Sequence, residues 1–423
     1  MDFNFYRVGL LPPYILAEVT KLRSEARARG EDVVDFGMGN PDHPTPKHIV
    51  DKLVEAAQLG RNHRYSLSVG IRGLRLAVAD WYAAKFDVRL NPDNQVIATI
   101  GSKEGLSHLM FAIVNPEARD AVLVPDPCYP IHRWAVVLAG GTAVDIPLNT
   151  TGEFLERIRE RLASRKGPKP KGLIVSFPAN PSTHVCDLRF FEEIVELANR
   201  HDLWVVHDLA YADLVFDGYR APSILQVPGA SERCVESFTL SKSYHMPGWR
   251  VGFLAGNQKI VGALGRLKSY LDYGMFQPVQ IAAVAALRSP PSVVEEVRLL
   301  YKERRDWLVN GLNRAGWPVE APKATMFLWA PLPESHRAMG SLEFSKMLVR
   351  EARVAVAPGI GFGQNGDGHV RFALIENHNR IKQACRAIKL ALQKPPELPP
   401  PAKKPSRRAS AAGSGRGPRG KKP

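Results

Sequence analysis

Apolar segments rich in β-branched residues recur through the middle of the chain, between residues 94 and 256. Helical sequence separates most of them, as in EGLSHLMFAIV and LRFFEEIVELANR. Continuous apolar strands alternating with helices are typical of a mostly parallel sheet covered on both faces. The pattern predicts a doubly wound α/β domain, with strands at QVIATI, AVLV, GLIVSF, LWVVHD, CVESFTL and RVGFLAG.

Shorter patterned segments precede and follow this domain. Those before it are predicted as a helix over 14–29, a strand over 33–36, a helix from Pro46 and a helix over 73–86. After it, residues 257–316 are predicted to be helical with a break at 289–292. The remaining elements describe a smaller α+β domain: strands near 326–332, 353–357 and 369–375, and helices near 341–351 and 378–393.

These patterns divide the chain of 423 residues into consecutive segments. We predict an N-terminal segment that joins the small domain (1–44), a large ligand-binding domain (45–288), a small C-terminal domain (289–393) and a disordered tail (394–423). The chain is 45% hydrophobic and 23% charged, and a chain of this length buries a sizeable core. A wholly disordered chain and a disulfide-stapled miniprotein are therefore excluded.

The tail concentrates positive charge. The whole chain has a net charge of +15, and residues 394–423 hold nine Lys or Arg and one acid. The tail also holds 12 Pro or Gly, a composition that does not bury enough apolar surface to fold. We favour an inert, solubilising extension. Weak binding of a polyanion is the alternative, and a nucleic-acid partner is not expected for the body of the chain.

Several features favour a cytoplasmic protein. The cysteines at 128, 186, 234 and 385 lack the spacing of a zinc site or a disulfide framework, so free thiols are expected. The N-terminal residues include Asp2 and Arg7 and lack the apolar core of a secretory leader. Proline and polar residues interrupt the charge-free stretches at 172–186 and 273–287, so neither is expected to span a membrane.

Several catalytic motifs are absent or misplaced. GFGQNG (361–366) matches the letters of a dinucleotide-binding loop but does not open a strand–helix–strand unit, so no nucleotide site is expected there. The chain has no G-x-x-x-x-G-K-[ST], no H-E-x-x-H and no G-x-S-x-G. Interpretations as an ATPase, a zinc protease or an α/β-hydrolase lose their usual support, and no metal site is predicted.

Polar residues follow several predicted strands, where open α/β sheets bind ligands. Residues 101–104 (GSKE) follow QVIATI and open a helix, whose N-terminal N–H groups suit a phosphate or simply form an ordinary cap. Tyr129 follows AVLV, and its ring either stacks on a planar ligand or packs internally. Asn180 follows GLIVSF, where the next proline holds it extended; it either points into the site or forms a turn.

The next two strands end in groups of opposite charge. Asp208 ends LWVVHD, and Tyr211 follows it. A desolvated acid at that place either pairs with a cation or has a raised pKa. A lysine beside hydroxyls at a strand end is either a Schiff-base candidate or a solvated loop residue. The residues after CVESF are Thr239, Ser241, Lys242 and Arg250.

Together these side chains describe one ligand, which has a phosphate, a flat ring, a ring nitrogen, a phenolic oxygen and an aldehyde. Pyridoxal 5′-phosphate (PLP) carries all of these groups. Proteins that bind it pair a Schiff-base lysine with an acidic partner for the ring nitrogen. We therefore predict PLP as the cofactor.

The chain also closely resembles the fold type I, class I/II aminotransferases, and the resemblance covers nearly everything except the tail. SKSYHMPGWRVGF is similar to that family's lysine motif, and GSKEGLSHLM, PDPCYPIH, FPANPS, HDLAYADLVFDGYRAPS and HVRFALIEN occur in the family's order. The branch it most resembles holds the bacterial alanine (glutamate–pyruvate) aminotransferases, near the LL-diaminopimelate aminotransferases. The resemblance implies an α/β PLP-dependent transferase with a mostly parallel seven-stranded sheet, a smaller α+β domain and a homodimer with shared active sites.

The resemblance implies a role for each matching residue. Lys242 would bind PLP as a Schiff base, and Asp208 would hold the ring nitrogen protonated. Tyr211 is the third predicted catalytic residue, beside Lys242 and Asp208. Tyr211 and Asn180 would hydrogen-bond the ring oxygen, and Tyr129 would stack on the ring. The phosphate would be surrounded by Ser102, Lys103, Thr239, Ser241 and Arg250, with Tyr65 of the partner subunit.

Substrate binding is implied in the same way. Arg371 would bind the substrate α-carboxylate, beside Asn180 and the backbone of Gly39, because a planar guanidinium meets a carboxylate at two points. Tyr14 would line the entrance of the site, with simple packing as the alternative.

The chain departs from the family at two positions. Thr239 stands where many relatives have serine and keeps the hydroxyl, so little effect is expected. His245 stands where close relatives have asparagine. It would either perturb the pKa of Lys242 or face away.

The implied function is amino transfer between an L-amino acid and a 2-oxo acid by a ping-pong mechanism. Alanine with pyruvate or 2-oxoglutarate is the expected pair, because no second arginine clearly matches a side-chain carboxylate. The alternatives are a PLP-dependent C–S β-lyase, or an aminotransferase for LL-diaminopimelate, aspartate, methionine or an aromatic amino acid. A regulatory protein that binds nucleic acid through its tail is a further alternative, and the full set of chemical residues argues against it.

Overall fold

The computed structural model describes residues 5–13 and 15–396. Its largest feature is a seven-stranded sheet in which β8 is antiparallel to both of its neighbours and every other pair is parallel. From one edge to the other, the strands are β2 (Val96–Thr99), β8 (Gly252–Gly256), β7 (Cys234–Thr239), β6 (Trp204–Asp208), β5 (Pro170–Val175), β3 (Ala121–Asp126) and β4 (Thr142–Pro147). The predicted mostly parallel sheet is confirmed.

Helices cover both faces of this sheet. Successive strand residues point to opposite faces, so Leu123 packs in one apolar cluster while Val122 and Val124 pack in another. The helices are α3 (Lys47–Ala57), α4 (Arg72–Phe86), α5 (Ser102–Ile113), α6 (Pro130–Leu138), α7 (Thr151–Ala163), α8 (Leu188–His201), α9 (Leu240–Ser243), α10 (Gln258–Leu271) and α11 (Gln277–Leu287). The alternation of strands and helices thus gives the expected layered α/β architecture.

A second unit has its own apolar core. Its antiparallel sheet has the order β11 (Ala357–Pro358), β12 (His369–Ala373) and β9 (Phe327–Pro331). Its helices are α12 (Pro291–Arg314), α13 (Gly340–Met347), a π-helical turn (Leu348–Ala352) and α14 (His378–Ala391). The single strand predicted at 353–357 is two short strands, because β10 (Val354–Ala355) pairs with a different segment.

That segment is the N-terminal part of the chain, which packs on the second unit. Strand β1 (Val34–Asp35) pairs in parallel with β10, and Val34 and Phe36 lie in the second unit's apolar cluster. Helices α1 (Tyr6–Gly9) and α2 (Leu16–Ala28) precede β1. The N-terminal segment therefore contributes to the second core, and the segment boundaries given above stay predictions.

Two elements differ from the sequence-based expectations. Strand β4 was not predicted, because this edge strand is only partly buried and has no continuous apolar run. The helical stretch 257–316 has an additional break before α11, where Asp272 Oδ1 accepts a hydrogen bond from the Gly274 N–H at 2.7 Å. Tyr273 and Gly274 there have left-handed φ angles of 52° and 86°, which end the helix.

Within the described ranges, no helix is both long enough and apolar enough to cross a membrane. The four cysteines are buried as free thiols. The predicted tail lies outside the described residues from 397 onward.

Candidate active site

A cavity of about 350 Å³ opens at the carboxyl ends of the parallel strands, between the large sheet and the second unit. Most of the predicted site residues line it: Gly39, Ser102, Lys103, Tyr129, Asn180, Asp208, Tyr211, Thr239, Ser241, Lys242, Arg250 and Arg371. Tyr65 lies outside the cavity, and Tyr14 lies outside the described residues. The geometry of the sheet thus brings together groups that are far apart in sequence.

One end of the cavity suits an anion. It is formed by the first residues of α5 and by Arg250, which packs so closely that a Cβ on Gly101 would lie 2.3 Å from Arg250 Nη2. Gly101 is the N-cap of α5 with a φ of 81°, so glycine is required there on two grounds. The Thr239 hydroxyl donates to Ser241 Oγ at 2.8 Å beside this end. Helix N–H groups, hydroxyls and a guanidinium together fit a phosphate.

A carboxylate lies deeper in the cavity. Asp208 is 4% exposed at the end of β6, and the His132 ring donates from Nε2 to Asp208 Oδ2 at 2.8 Å. The Ser176 hydroxyl donates to the Asp208 carbonyl oxygen at 3.2 Å, which holds the backbone in place. Asp208 Oδ1 is buried without a hydrogen-bond partner in the described part of the chain. A buried carboxylate oxygen of this kind fits a cationic nitrogen of a bound ring.

The amine of Lys242 lies in a less usual environment. Lys242 is in the short helix α9, which Thr239 caps, and its Nζ donates to the Gly39 carbonyl oxygen at 2.8 Å. Burial lowers the pKa of Lys242 to about 7, and the positive charges of Arg371 and Arg250 act in the same direction. Near neutral pH much of this amine is therefore uncharged, as a nucleophile or a base must be.

A buried arginine closes the opposite side of the cavity. Arg371 on β12 donates from Nη1 to Asn180 Oδ1 at 2.6 Å, and its guanidinium lies 4.1 Å from the Phe327 ring centre and 4.5 Å from that of Phe362. Asn180 Nδ2 in turn donates to the Tyr211 hydroxyl at 3.4 Å. Aromatic rings around the guanidinium keep its plane fixed, which suits two-point binding of a carboxylate.

Two cavity or near-cavity residues were missed by sequence reasoning. His132 stands three residues after Tyr129 on α6, inside PDPCYPIH, and a position within a helix is not implied by the rule about strand ends. Arg23 lines the cavity from α2, where it pairs with Asp35. Because α2 does not follow a strand of the large sheet, no rule about strand ends could have found Arg23.

Two further residues singled out in the sequence, His245 and Tyr65, do not line the cavity. The His245 ring packs against His43 and Tyr301, with centroid separations of 5.8 Å in both cases. Burial and the neighbouring His43 lower the pKa of His245 to about 4, so its ring is neutral near pH 7. Tyr65 is 90% exposed beside Tyr273, 5.4 Å away between ring centroids.

Comparison with known proteins defines the class. The family model for class I and II aminotransferases matches residues 31–388. The chain is 54% identical over 386 residues to the glutamate–pyruvate aminotransferase AlaC of Escherichia coli K12, which covers 91% of this chain and 93% of that one. It is 44% identical over 388 residues to the LL-diaminopimelate aminotransferase of Moorella thermoacetica, covering 92% and 98%. The chain belongs to the class I and II aminotransferases.

Solved structures agree with this assignment. A substrate-bound BacF structure from Bacillus subtilis superposes with a TM-score of 0.84 at 31% identity, covering 93% of this chain and 99% of that one. A mutant aspartate aminotransferase of Thermus thermophilus gives 0.85 at 27% identity, covering 92% and 100%. The α/β fold type I architecture is therefore confirmed.

Class I and II aminotransferases depend on PLP, so PLP is the cofactor of this chain. The residues present fit it. The unpartnered Asp208 Oδ1 suits the ring nitrogen, the cradle between Gly101 and Arg250 suits the phosphate, and the Lys242 amine suits the aldehyde. These pairings of particular residues with particular groups are proposals.

The lowered pKa of Lys242 has a measurable consequence in the protein before PLP is added. Acetic anhydride acylates only the uncharged amine, so labelling of Lys242 should rise through a midpoint near pH 7, because burial and two guanidinium charges disfavour the ammonium form. Mass spectrometry of peptides gives the rate at each pH. Arg371→Gln removes one positive charge and should move the midpoint upward, and a midpoint near 10 in the unmodified chain would contradict the assignment.

Proposed function

We propose that this enzyme transfers an amino group between L-alanine and 2-oxoglutarate by a ping-pong mechanism, giving pyruvate and L-glutamate. The observation that carries the catalytic proposal is the Lys242 amine in the same cavity as Asp208 and Arg371, where it donates to the Gly39 carbonyl oxygen and its pKa is lowered. The choice of alanine is supported by the 54% identity to a relative named for glutamate and pyruvate.

Lys242 is the proposed proton carrier. When bound, PLP supplies an aldehyde that takes the amino group and a ring that accepts the electron pair left on the substrate α-carbon. Lys242 Nζ accepts the α-proton as an uncharged amine. As an ammonium group it then donates the proton in the later step of the transfer. Its pKa of about 7 suits both directions, because a group that titrates near the working pH both accepts and donates readily.

Asp208 and His132 are proposed to act as a pair. The Asp208 carboxylate, placed at the end of β6, holds a positive charge next to Oδ1 by direct attraction. His132 orients the carboxylate through the 2.8 Å hydrogen bond to Oδ2, which leaves Oδ1 directed to the ligand. His132 is a positioning residue in this scheme.

Arg371 is proposed to orient the substrate through its α-carboxylate. The rings of Phe327 and Phe362 exclude water from the guanidinium, which strengthens its attraction for a carboxylate. Asn180 already accepts a hydrogen bond from Arg371 and fixes its direction. Substrate bound in this way keeps its α-carbon on the side of the cavity where Lys242 lies.

Arg23 is proposed to bind the distal carboxylate of glutamate, at the end of the substrate away from the α-carboxylate. The same pocket must accept a methyl group in one half-reaction and a distal carboxylate in the other. An unpaired arginine would be costly beside a methyl group, but Asp35 neutralises Arg23 when alanine is bound. The Nε atom of Arg23 is buried without a hydrogen-bond partner in the described ranges, so a donor remains for the distal carboxylate.

The active enzyme is proposed to be a homodimer. A group of apolar side chains on the segments around Tyr65 and Tyr273 is exposed in the single chain: Tyr65, Leu67, Tyr270, Leu271, Tyr273 and Phe276. Exposed apolar patches of this kind mark interaction surfaces. A dimer formed here would explain how Tyr65, outside its own cavity, serves the phosphate of the partner's site. A cytoplasmic location also stays a prediction.

LL-diaminopimelate is the second candidate substrate, because relatives named for it reach 44% identity over most of the chain. Arg23 would then meet a distal group that carries both an amine and a carboxylate. A C–S β-lyase activity has no specific support in the cavity. It would be detected as pyruvate and ammonia released from a cysteine conjugate without any 2-oxo acid.

Turnover with purified PLP-loaded enzyme tests the substrate. We expect L-alanine with 2-oxoglutarate to give kcat/KM at least about tenfold above LL-diaminopimelate with 2-oxoglutarate. A tenfold ratio corresponds to about 1.4 kcal/mol of transition-state binding. Faster turnover of LL-diaminopimelate would overturn the alanine assignment.

The role of Lys242 is tested by substitution. Lys242→Ala should lower kcat by at least about 10³-fold while PLP still binds, because the proton carrier is lost. Lys47→Ala, at an exposed site, is the control.

The role of Arg23 is tested by comparing the two half-reactions. Arg23→Gln should raise KM for glutamate and 2-oxoglutarate about 10- to 100-fold, the loss expected for a charge-assisted hydrogen bond, and KM for alanine by less than about threefold. Arg27→Gln is the matched control, because Arg27 also lies near Asp35 (3.9 Å) but does not line the cavity. Equal losses for alanine and glutamate in Arg23→Gln would show that Arg23 only holds α2 in place.

A further inference from the structure

The GFGQNG segment (361–366), for which no nucleotide site is expected, reaches the active site from the second unit. It lies between β11 and β12 and forms two short turns, Gly359–Phe362 and Gln364–Gly366. Its neighbour in the large unit is the end of β3, where Asp126 stands three residues before Tyr129. The segment 359–366 is called the glycine loop below.

Specific hydrogen bonds join the glycine loop to the end of β3. Asn365 Nδ2 donates to Asp126 Oδ2 at 2.7 Å, and the Asn365 backbone N–H approaches the same oxygen at 3.3 Å. The Cys128 N–H donates to the Phe362 carbonyl oxygen at 2.9 Å. Asp126 is 5% exposed, whereas Asn365 is exposed, so the buried carboxylate is held from the solvent side by this amide.

The glycines permit this close approach. Gly363 has a φ of 137°, and a Cβ there would lie 1.7 Å from Asp126 Oδ1. A Cβ on Gly359 would lie 2.0 Å from the Gly366 carbonyl oxygen, so the loop also folds tightly on itself. Of the glycines that match a nucleotide motif, Gly363 is thus explained by contact with a carboxylate of the same chain, and Gly366 by its close approach to Gly359.

Each side of this contact holds an aromatic residue that lines the active-site cavity. Phe362 in the glycine loop lies over the Arg371 guanidinium, at 4.5 Å from the ring centre. Tyr129, just after Asp126, lines the same cavity. Any shift of the loop relative to β3 changes the place of Phe362, and therefore the environment of Arg371, relative to Tyr129.

We propose that Asp126 and Asn365 are positioning residues, whose hydrogen bond sets the carboxylate-binding face of Arg371 against the cofactor side of the cavity. Neither residue of the pair lines the cavity, and the pair acts through Phe362 and Tyr129, which do. The proposal rests on the proposed function only in that Arg371 binds a carboxylate; it does not depend on which amino acid is used. Burial raises the pKa of Asp126, in keeping with a carboxyl group held away from water.

The test uses the PLP-loaded enzyme with two separate measurements. The first is the dissociation constant of propionate, an unreactive carboxylate, followed by the change in the visible absorption of bound PLP. The second is kcat and KM for the amino acid that the wild-type enzyme uses best. Asn365→Ala should raise the dissociation constant of propionate and KM about tenfold, while kcat changes by less than about twofold and PLP affinity is unchanged.

Three further variants make the result decisive. Gln364→Ala, exposed in the same loop, should leave both constants unchanged. Asp126→Ala should reproduce Asn365→Ala, and Asp126→Asn, which keeps an acceptor oxygen, should recover to within about threefold of wild type. If Asp126→Ala does not fold, the comparison of Asn365→Ala with Gln364→Ala decides, since both positions are exposed.

The positioning role would be overturned if Asn365→Ala lowered thermal stability but bound propionate within about twofold of Gln364→Ala. A joint fall of kcat and PLP affinity in Asn365→Ala would overturn it as well. Failure of alanine turnover in the wild-type enzyme is a separate result, because propionate binding reports on Arg371 whatever the substrate.

Discussion

The chemistry of the site begins with the Lys242 amine, which is enclosed in the cavity with two guanidinium groups nearby. The amine is held by a carbonyl from the N-terminal segment, Gly39, and its pKa is lowered by burial and by guanidinium groups from the second unit and from the loop before β8. Three parts of the chain must therefore assemble before this lysine has the chemistry of an uncharged amine. A nucleophile with a low pKa is a property of the whole fold and not of α9.

The large sheet supplies most of the remaining chemistry through a single geometric rule. Parallel strands end at the same edge, so residues that follow β3, β5, β6 and β7 converge there although they are far apart in sequence. This rule predicted Tyr129, Asn180, Asp208 and Lys242, and the structure places all four around one cavity. The seven-stranded fold, the aminotransferase class and PLP are likewise confirmed.

What sequence reasoning missed came from outside that rule. Arg23 reaches the cavity from α2, and His132 stands behind Asp208 on the side away from solvent. Their positions depend on how the helices pack, which a periodic pattern does not specify. Strand β4 was not predicted because a partly buried edge strand needs no continuous apolar run. The contact of the glycine loop with Asp126 was not predicted, because the letters of the loop match a nucleotide-binding motif. The loop lies between two antiparallel strands and lacks the strand–helix context of that motif.

The N-terminal segment and the second unit are best understood together. Strand β1 pairs with β10, and the residues that follow β1 reach Lys242 through Gly39 and Arg371 through Gly37. The second unit also returns to the large sheet through Asp126 and Asn365. The cavity is therefore enclosed by contacts from two directions. One places the Gly39 carbonyl oxygen at the Lys242 amine, and the other supports the proposed carboxylate site at Arg371.

We propose that this cavity carries out amino transfer through PLP held at Lys242, with alanine as a donor. The most direct measurement is the visible absorption spectrum of the purified PLP-loaded enzyme, recorded before and after L-alanine is added without a 2-oxo acid. We expect loss of the visible band of bound PLP and its recovery when pyruvate is added. A visible band that does not respond to alanine would contradict the substrate assignment, and a protein that does not take up PLP at all would contradict the catalytic one.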